Sequence, residues 1–297
     1  MSDLSLSEAP ITVAPIAPRS GAGLYFIASL LAQAIALVRY VVLARLLGPE
    51  QLGLAATLVV TGSFFDLISD TGSDRFLIQD REGDHQAVQK LVQLTWVSRG
   101  VAIALCLVVF AIPLSEFYRT PRIAVGFVWL ALSPLILGFT HLDIRRAQRD
   151  HNFRSEAVCM LAAETVSLIA TATAAWLTHS FTAILYGLIS RSLVMVLTSH
   201  IVANRSYWLA WSREHGPRLV KFAVPLMLSG LVLFIGSQGD RIMVARQLGM
   251  SAAGQYAAVI LLIIYPTSIV MRYTHAIFLP MVAAARDDSA RRNRISD

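Results

Sequence analysis

The side chains with types and spacing suited to chemistry are ionisable groups set inside long apolar stretches of a 297-residue sequence. Glu164 stands about nine residues into one such stretch, and Arg191 about nine residues into the next from the opposite end. At a rise of about 1.5 Å per residue, both reach mid-height on neighbouring antiparallel helices. This makes them a candidate ion pair, which either fixes helix packing or charges a cavity with Arg191 touching a substrate anion. Arg39 and Arg99 lie in two further stretches. Guanidinium stays charged in a low-dielectric site and binds oxyanions through two donors, so Arg39, Arg99 and Arg191 form a candidate cationic, substrate-binding cavity. Arg39 and Arg99 are also close enough to their stretch ends to extend toward an interface instead.

Asp66, Asp70 and Asp74 follow an i, i+4, i+8 pattern, which predicts three carboxylates on one helix face. Carboxylates near a helix C-terminus oppose its dipole, so a local cation such as Arg75 is expected to compensate. The alternative is a cation or proton site, with Asp66 and Asp70 as members and Glu164 as a further coupling or ion-pair residue. His141-Leu142-Asp143 ends an apolar stretch and supplies too few ligands for a metal, so it reads as polar residues at a boundary. Cys106 and Cys159 read as small apolar fillers. No run matches a zinc, phosphate-loop, dinucleotide or nucleophile-elbow pattern, so neither a metal nor a cofactor is expected.

These residues must be positioned by helices within a membrane. Hydrophobic residues make up 56% of the chain and charged residues only 15%, against about 25% charged in ordinary soluble domains. Eight stretches approach the roughly 20 apolar residues that a span needs: 23–44, 52–72, 91–113, 123–141, 156–177, 182–203, 222–244 and 253–274. The sequence therefore predicts an all-α, polytopic transmembrane bundle. The net charge of +6 would suit a nucleic-acid partner, yet its distribution reports sidedness instead. Sixteen Lys and Arg residues fall on the side of the N-terminus, against four on the other, Arg45, Arg119, Arg122 and Arg246. That bias predicts cytoplasmic termini and an even number of spans, and no nucleic acid is expected. Residues 1–22 read as a flexible tail before an uncleaved span. Pro225, Pro266 and Pro280 are expected to kink or break the helices that carry them.

The chain also repeats itself. Ala44-Arg45-Leu46-Leu47-Gly48 recurs as Ala245-Arg246-Gln247-Leu248-Gly249, and Gly53 and Ala56 recur as Gly254 and Ala257, all at an offset of 201. Six spans separate the copies, so they share an orientation and call for an axis along the membrane normal. This predicts a first six-helix lobe over 23–203, a cytoplasmic linker over 204–221, the first two helices of a second lobe over 222–285, and a charged tail over 286–297. Four helices of a complete second lobe are expected to be absent.

The turn from Val41 to Gly53 resembles that between the first two spans of polysaccharide, or oligosaccharide-lipid, flippases of the multidrug/oligosaccharidyl-lipid/polysaccharide exporter superfamily. The segments Leu67-Ile68-Ser69-Asp70-Thr71-Gly72, Leu77-Ile78-Gln79, Ala147 to Arg154, Phe222 to Ser229 and Asp240-Arg241 fit the same family in order. The resemblance implies two six-helix lobes around a central cavity, alternating access, and export of undecaprenyl-pyrophosphate-linked oligosaccharides from the bacterial inner membrane. Pyrophosphate oxygens would then be the acceptors for Arg39, Arg99 and Arg191. The expected partners are the lipid-linked oligosaccharide and the bilayer, with a second chain or copy completing the second lobe left open. A drug exporter of the same superfamily, a polysaccharide-assembly membrane enzyme and a non-transporting fragment are the alternatives. The enzyme reading lacks a long extramembrane loop or a convergent catalytic set.

Overall fold

The computed structural model describes residues 20–80, 82–150 and 152–284, with side chains to residue 264 and at 267. Of the expected tails 1–22 and 286–297, residues 1–19 and 286–297 lie outside the described residues, whereas 20–22 already belong to the first helix; the side chains of Pro266, Arg272, His275 and Pro280 lie outside as well. The described elements are α1 (Ser20–Leu46), α2 (Pro49–Ile68), α3 (Ser73–Gln79), α4 (Gln86–Val109), α5 (Ala111–Phe117), α6 (Ile123–Leu130), α7 (Leu132–Leu137), α8 (Asp143–Arg146), α9 (Arg154–Thr178), α10 (Ala183–Val202) and α11 (Gly216–Ala284). The chain is all-helical among the described residues, and six of its helices are long and apolar enough to cross a membrane. Large apolar side chains such as Val109, Leu177, Ile201 and Val232 stand outward on them, a surface that suits lipid and not water.

Local chemistry sets the helix ends. Pro49 opens α2 at the first helical position, where its missing N–H costs nothing. Pro113 has no N–H to offer the Val109 carbonyl, and α4 stops at Val109. Pro134 likewise withholds a donor from Leu130, and the expected span 123–141 is two short helices, α6 and α7, meeting at Ala131. The two expected spans 222–244 and 253–274 lie in α11, interrupted at Gly249, whose φ of 84° and ψ of 176° are non-helical. Helix α11 continues unbroken through Pro225, Pro266 and Pro280, and its interruption at Gly249 lies between the two expected spans. A φ of 84° is in the region that glycine enters without a Cβ penalty.

Helices α1, α9 and α10 pack together, α7 fills the space between α4 and α10, and α2 lies along α11. The main core includes Leu43, Leu54, Leu58, Leu107, Ile123 and Phe127, all fully buried. A smaller core of Phe76, Leu77, Val88, Leu91 and Val92 closes one end, joined by Leu219 from the start of α11.

The seam between α2 and α11 carries the sequence repeat. Gly53 and Gly254 meet there, and a Cβ built on Gly53 would lie 2.9 Å from the Gly254 nitrogen, one on Gly254 2.8 Å from the Gly53 nitrogen. The Gly53 Cβ would also run into the Met250 carbonyl oxygen, and the Gly254 Cβ into that of Pro49. Pro49 and Met250 are themselves equivalent at the offset of 201. The contact is reciprocal, as a twofold relation between the two copies requires.

Candidate functional site

The charged residues inside the spans are held by three helix pairs. On α9, Glu164, Ser167 and Thr171 are spaced by three and four residues and so share one buried face. Gly187 on α10 lets that face approach closely, since a Cβ there would strike the Thr171 hydroxyl. Ser167 Oγ donates to the Gly187 carbonyl at 2.8 Å. Arg39 reaches across from α1, placing Nη1 3.1 Å from Glu164 Oε2 and bonding Ser167 Oγ as well. Arg191 on α10 donates from Nε to Glu164 Oε1 at 2.5 Å.

Glu164 is therefore bridged by two arginines. The expected pair with Arg191 is present, and Arg39 joins it. The Arg39 and Glu164 side chains are 7% and 10% exposed, whereas that of Arg191 is 32% exposed. Arg39 Nε has no hydrogen-bond partner, so one buried donor of this guanidinium is left over.

Arg99 sits apart from that trio. Its Nη2 donates to the backbone oxygen of Asp66 at 2.7 Å and lies 3.4 Å from Asp66 Oδ1, while Nε donates to Ser69 Oγ at 3.1 Å. This guanidinium caps the last turn of α2, supplying the cation that a carboxylate at a helix C-terminus calls for. The charged groups thus form two clusters, Glu164 between Arg39 and Arg191, and Asp66 with Arg99, so that three guanidiniums meet two carboxylates. The Asp66 side chain is 57% exposed and opens onto a recess that Asp70, Asp74, Trp96 and Arg99 also line.

The three aspartates share this recess without sharing a helix, contrary to the expected single face. Helix α2 ends at Ile68, and Asp70 Oδ1 accepts from the Gly72 N–H at 2.9 Å in a side-chain turn. Gly72 takes a φ of 58°, and Asp74 then lies in the first turn of α3. Arg75 pairs with Asp70 at 3.4 Å, and Arg99 serves Asp66.

A second recess of about 670 Å³ lies between α1, α2 and α11, with Tyr40, Thr57, Tyr118, Arg241 and Tyr256 among largely apolar walls. Arg241 Nε has no hydrogen-bond partner, and Tyr256 donates to Asp240 at 2.5 Å. At the boundary, His141 Nδ1 accepts from the Asp143 N–H at 3.2 Å, so Nε2 carries the hydrogen and donates to the Arg205 carbonyl at 2.9 Å. His141 and Asp143 are structural here, Asp143 being held by Arg146 at 2.7 Å and by the Asn204 N–H at 2.8 Å. No group of three or more potential metal ligands occurs among the described residues. The sequence reading missed Ser167 and Gly187; the polar spacing of Glu164, Ser167 and Thr171 along one face of α9 is the signal that could have found Ser167.

Residues 42–296 match the family model described as polysaccharide biosynthesis protein. The chain belongs to that family. Among curated relatives, succinoglycan biosynthesis transport protein ExoT of Rhizobium meliloti is 26% identical over 259 residues, 85% of this chain and 51% of the relative. Lipopolysaccharide biosynthesis protein WzxC of Escherichia coli is 25% identical over 279 residues, 91% of this chain and 55% of the relative. The chain spans about half the length of the curated relatives it matches. No solved structure shows a significant match to it. The family and the apolar helices together make it a multi-pass membrane protein of polysaccharide biosynthesis.

Proposed function

We propose that this chain takes part in moving an undecaprenyl-pyrophosphate-linked oligosaccharide across the bacterial inner membrane, with both termini in the cytoplasm. The role is that of a transporter and not of an enzyme. The observation that carries the reading is Glu164 bridged by Arg39 and Arg191 within helices that fit a bilayer, together with Arg99 on Asp66 at an open recess. Ionisable groups at that depth are costly and by default serve a cavity or each other.

In this reading the three arginines divide the labour. Arg39 is buried and paired, so it anchors Glu164 and sets where Arg191 sits. Arg191 is part-exposed and Arg99 borders the open recess, which makes these two the guanidiniums for a pyrophosphate. Asp66, facing the same recess, would release Arg99 when a substrate anion replaces it, or when it takes up a coupling proton. The positive bias of the loops beside the N-terminus supports the assigned orientation.

The test is transport of a fluorescent lipid-pyrophosphate sugar in proteoliposomes by Arg39→Gln, Arg99→Gln and Arg191→Gln, each checked for membrane insertion. Loss of transport in Arg99→Gln and Arg191→Gln with insertion intact is the expected result. Normal transport in all three would remove the proposal.

A further inference from the structure

Residues 203–215, between α10 and α11, form no helix yet stay against the molecule. Arg205 bonds the Asp84 carbonyl at 3.0 Å and its carboxylate at 3.1 Å, and the Tyr207 hydroxyl accepts from Gln93 at 3.3 Å. The Ala210 N–H points to the Lys90 carbonyl at 3.5 Å, and the His215 ring meets Glu82 at 3.0 Å. The segment is therefore a strap laid across the first turns of α4, at the height where Leu91 and Val92 begin that helix's apolar run. That height is the boundary between a bilayer and water.

The outer side of the strap is apolar and aromatic. Trp208 and Trp211 are each 60% exposed and Leu209 is 43% exposed, with exposed Arg205 and Arg213 on either side. Beneath it lies a recess of about 380 Å³ lined by Gln86, Gln89, Lys90, Arg146, Arg205 and Trp208 among others. Arg146 and Arg205 are paired with aspartates, but half-buried Lys90 has no carboxylate partner among the described residues. A part-buried ammonium favours a counter-ion, and paired indoles beside basic residues favour the headgroup layer.

We propose that the strap is a docking site for an anionic phospholipid, with Lys90 and Arg205 on the phosphate and Trp208, Leu209 and Trp211 in the layer where headgroups meet acyl chains. A lipid fits better than a protein partner because the apolar residues stand at the height of the helix starts, flanked by cations as an anionic leaflet requires. The site is separate from the charged clusters inside the spans and does not depend on what the chain transports.

Two measurements on the full chain test it. In nanodiscs, lipids brominated near the headgroup should quench the tryptophan emission that is lost in a Trp208→Phe/Trp211→Phe variant. If that share of the emission is not quenched, the strap faces water or a protein and the proposal fails. Lipid retained through purification from a mixture of phosphatidylglycerol and phosphatidylcholine should be enriched in phosphatidylglycerol. Lys90→Gln should cut the enrichment about fivefold, the effect of one basic residue beside an anionic leaflet, and Lys90→Arg should restore it. Equal retention in Lys90→Gln overturns the proposal, as does full displacement of the lipid by inorganic phosphate, which would make the site one for a free anion.

Discussion

Gly53 and Gly254, 201 residues apart in sequence, pack backbone against backbone at the seam of α2 and α11, each covering the carbonyl four residues before the other. Small residues allow such an approach between membrane helices, where close packing stands in for the hydrophobic effect. Gly53→Ala and Gly254→Ala each push a methyl into a carbonyl oxygen, and overpacking of this kind costs about 1–3 kcal/mol. Because both changes disrupt one contact, the double variant should lose less than the sum of the two singles. Thermal unfolding in detergent measures this, and additive losses would separate the two glycines.

Glu164 holds two arginines, so its removal should cost more than the removal of either cation. Glu164→Gln leaves the buried Arg39 without its carboxylate, and breaking a buried pair costs about 3–5 kcal/mol. Arg191→Gln leaves Glu164 still bonded to Arg39 and should cost clearly less. Yield of folded protein and unfolding temperature rank the variants, and a milder effect of Glu164→Gln than of Arg191→Gln would contradict the bridging role.

His141 gives the fold a dependence on pH. Burial, with a smaller contribution from His200, holds its pKa below the ordinary 6.5. Above 6.5 the ring is neutral in folded and unfolded chains alike. As pH falls below 6.5 the unfolded chain takes up a proton that the folded site resists, so acidification destabilises the fold. His141→Gln should flatten the fall in unfolding temperature between about pH 6.5 and 5.

Glu82 clasps the start of α11 to the loop before α4, meeting Arg218 at 2.6 Å and His215 at 3.0 Å. The hydrogen bond from Arg218, followed by that from His215, lowers its pKa below the ordinary 4.5. The clasp is complete above 4.5 and is lost as pH falls through the lowered value. Glu82→Gln should raise backbone hydrogen exchange at 215–218 at neutral pH. Exposed pairs are weak and screened by salt, so unfolding temperature should move little.

The helices were legible because apolar length is a local property that any window of the chain displays. The pair Glu164 and Arg191 was legible for the same reason, since consecutive antiparallel helices convert residue counts into equal depth. Arg39 could be assigned a depth but no partner. It lies 125 residues from Glu164, and counting along a helix fixes height without saying which neighbour stands beside it. The three aspartates show the opposite failure. Their spacing suggested one helix, but the Asp70 turn and the left-handed Gly72 end α2 after Ile68, and the loop brings the carboxylates to one recess by another route.

The amino-acid order alone therefore settles a membrane-embedded helical chain, its repeat at 201, and the depth of its charges, because hydropathy, identity and rise per residue are all read along one dimension. Lateral packing decides the rest. It sets Gly53 against Gly254, places Arg39 and Arg191 on the same carboxylate, gives Asp66 to Arg99, and lays the 203–215 strap on α4. Each of these joins residues far apart in sequence through backbone approach or buried hydrogen bonds, and such contacts exist only once the helices have chosen their neighbours.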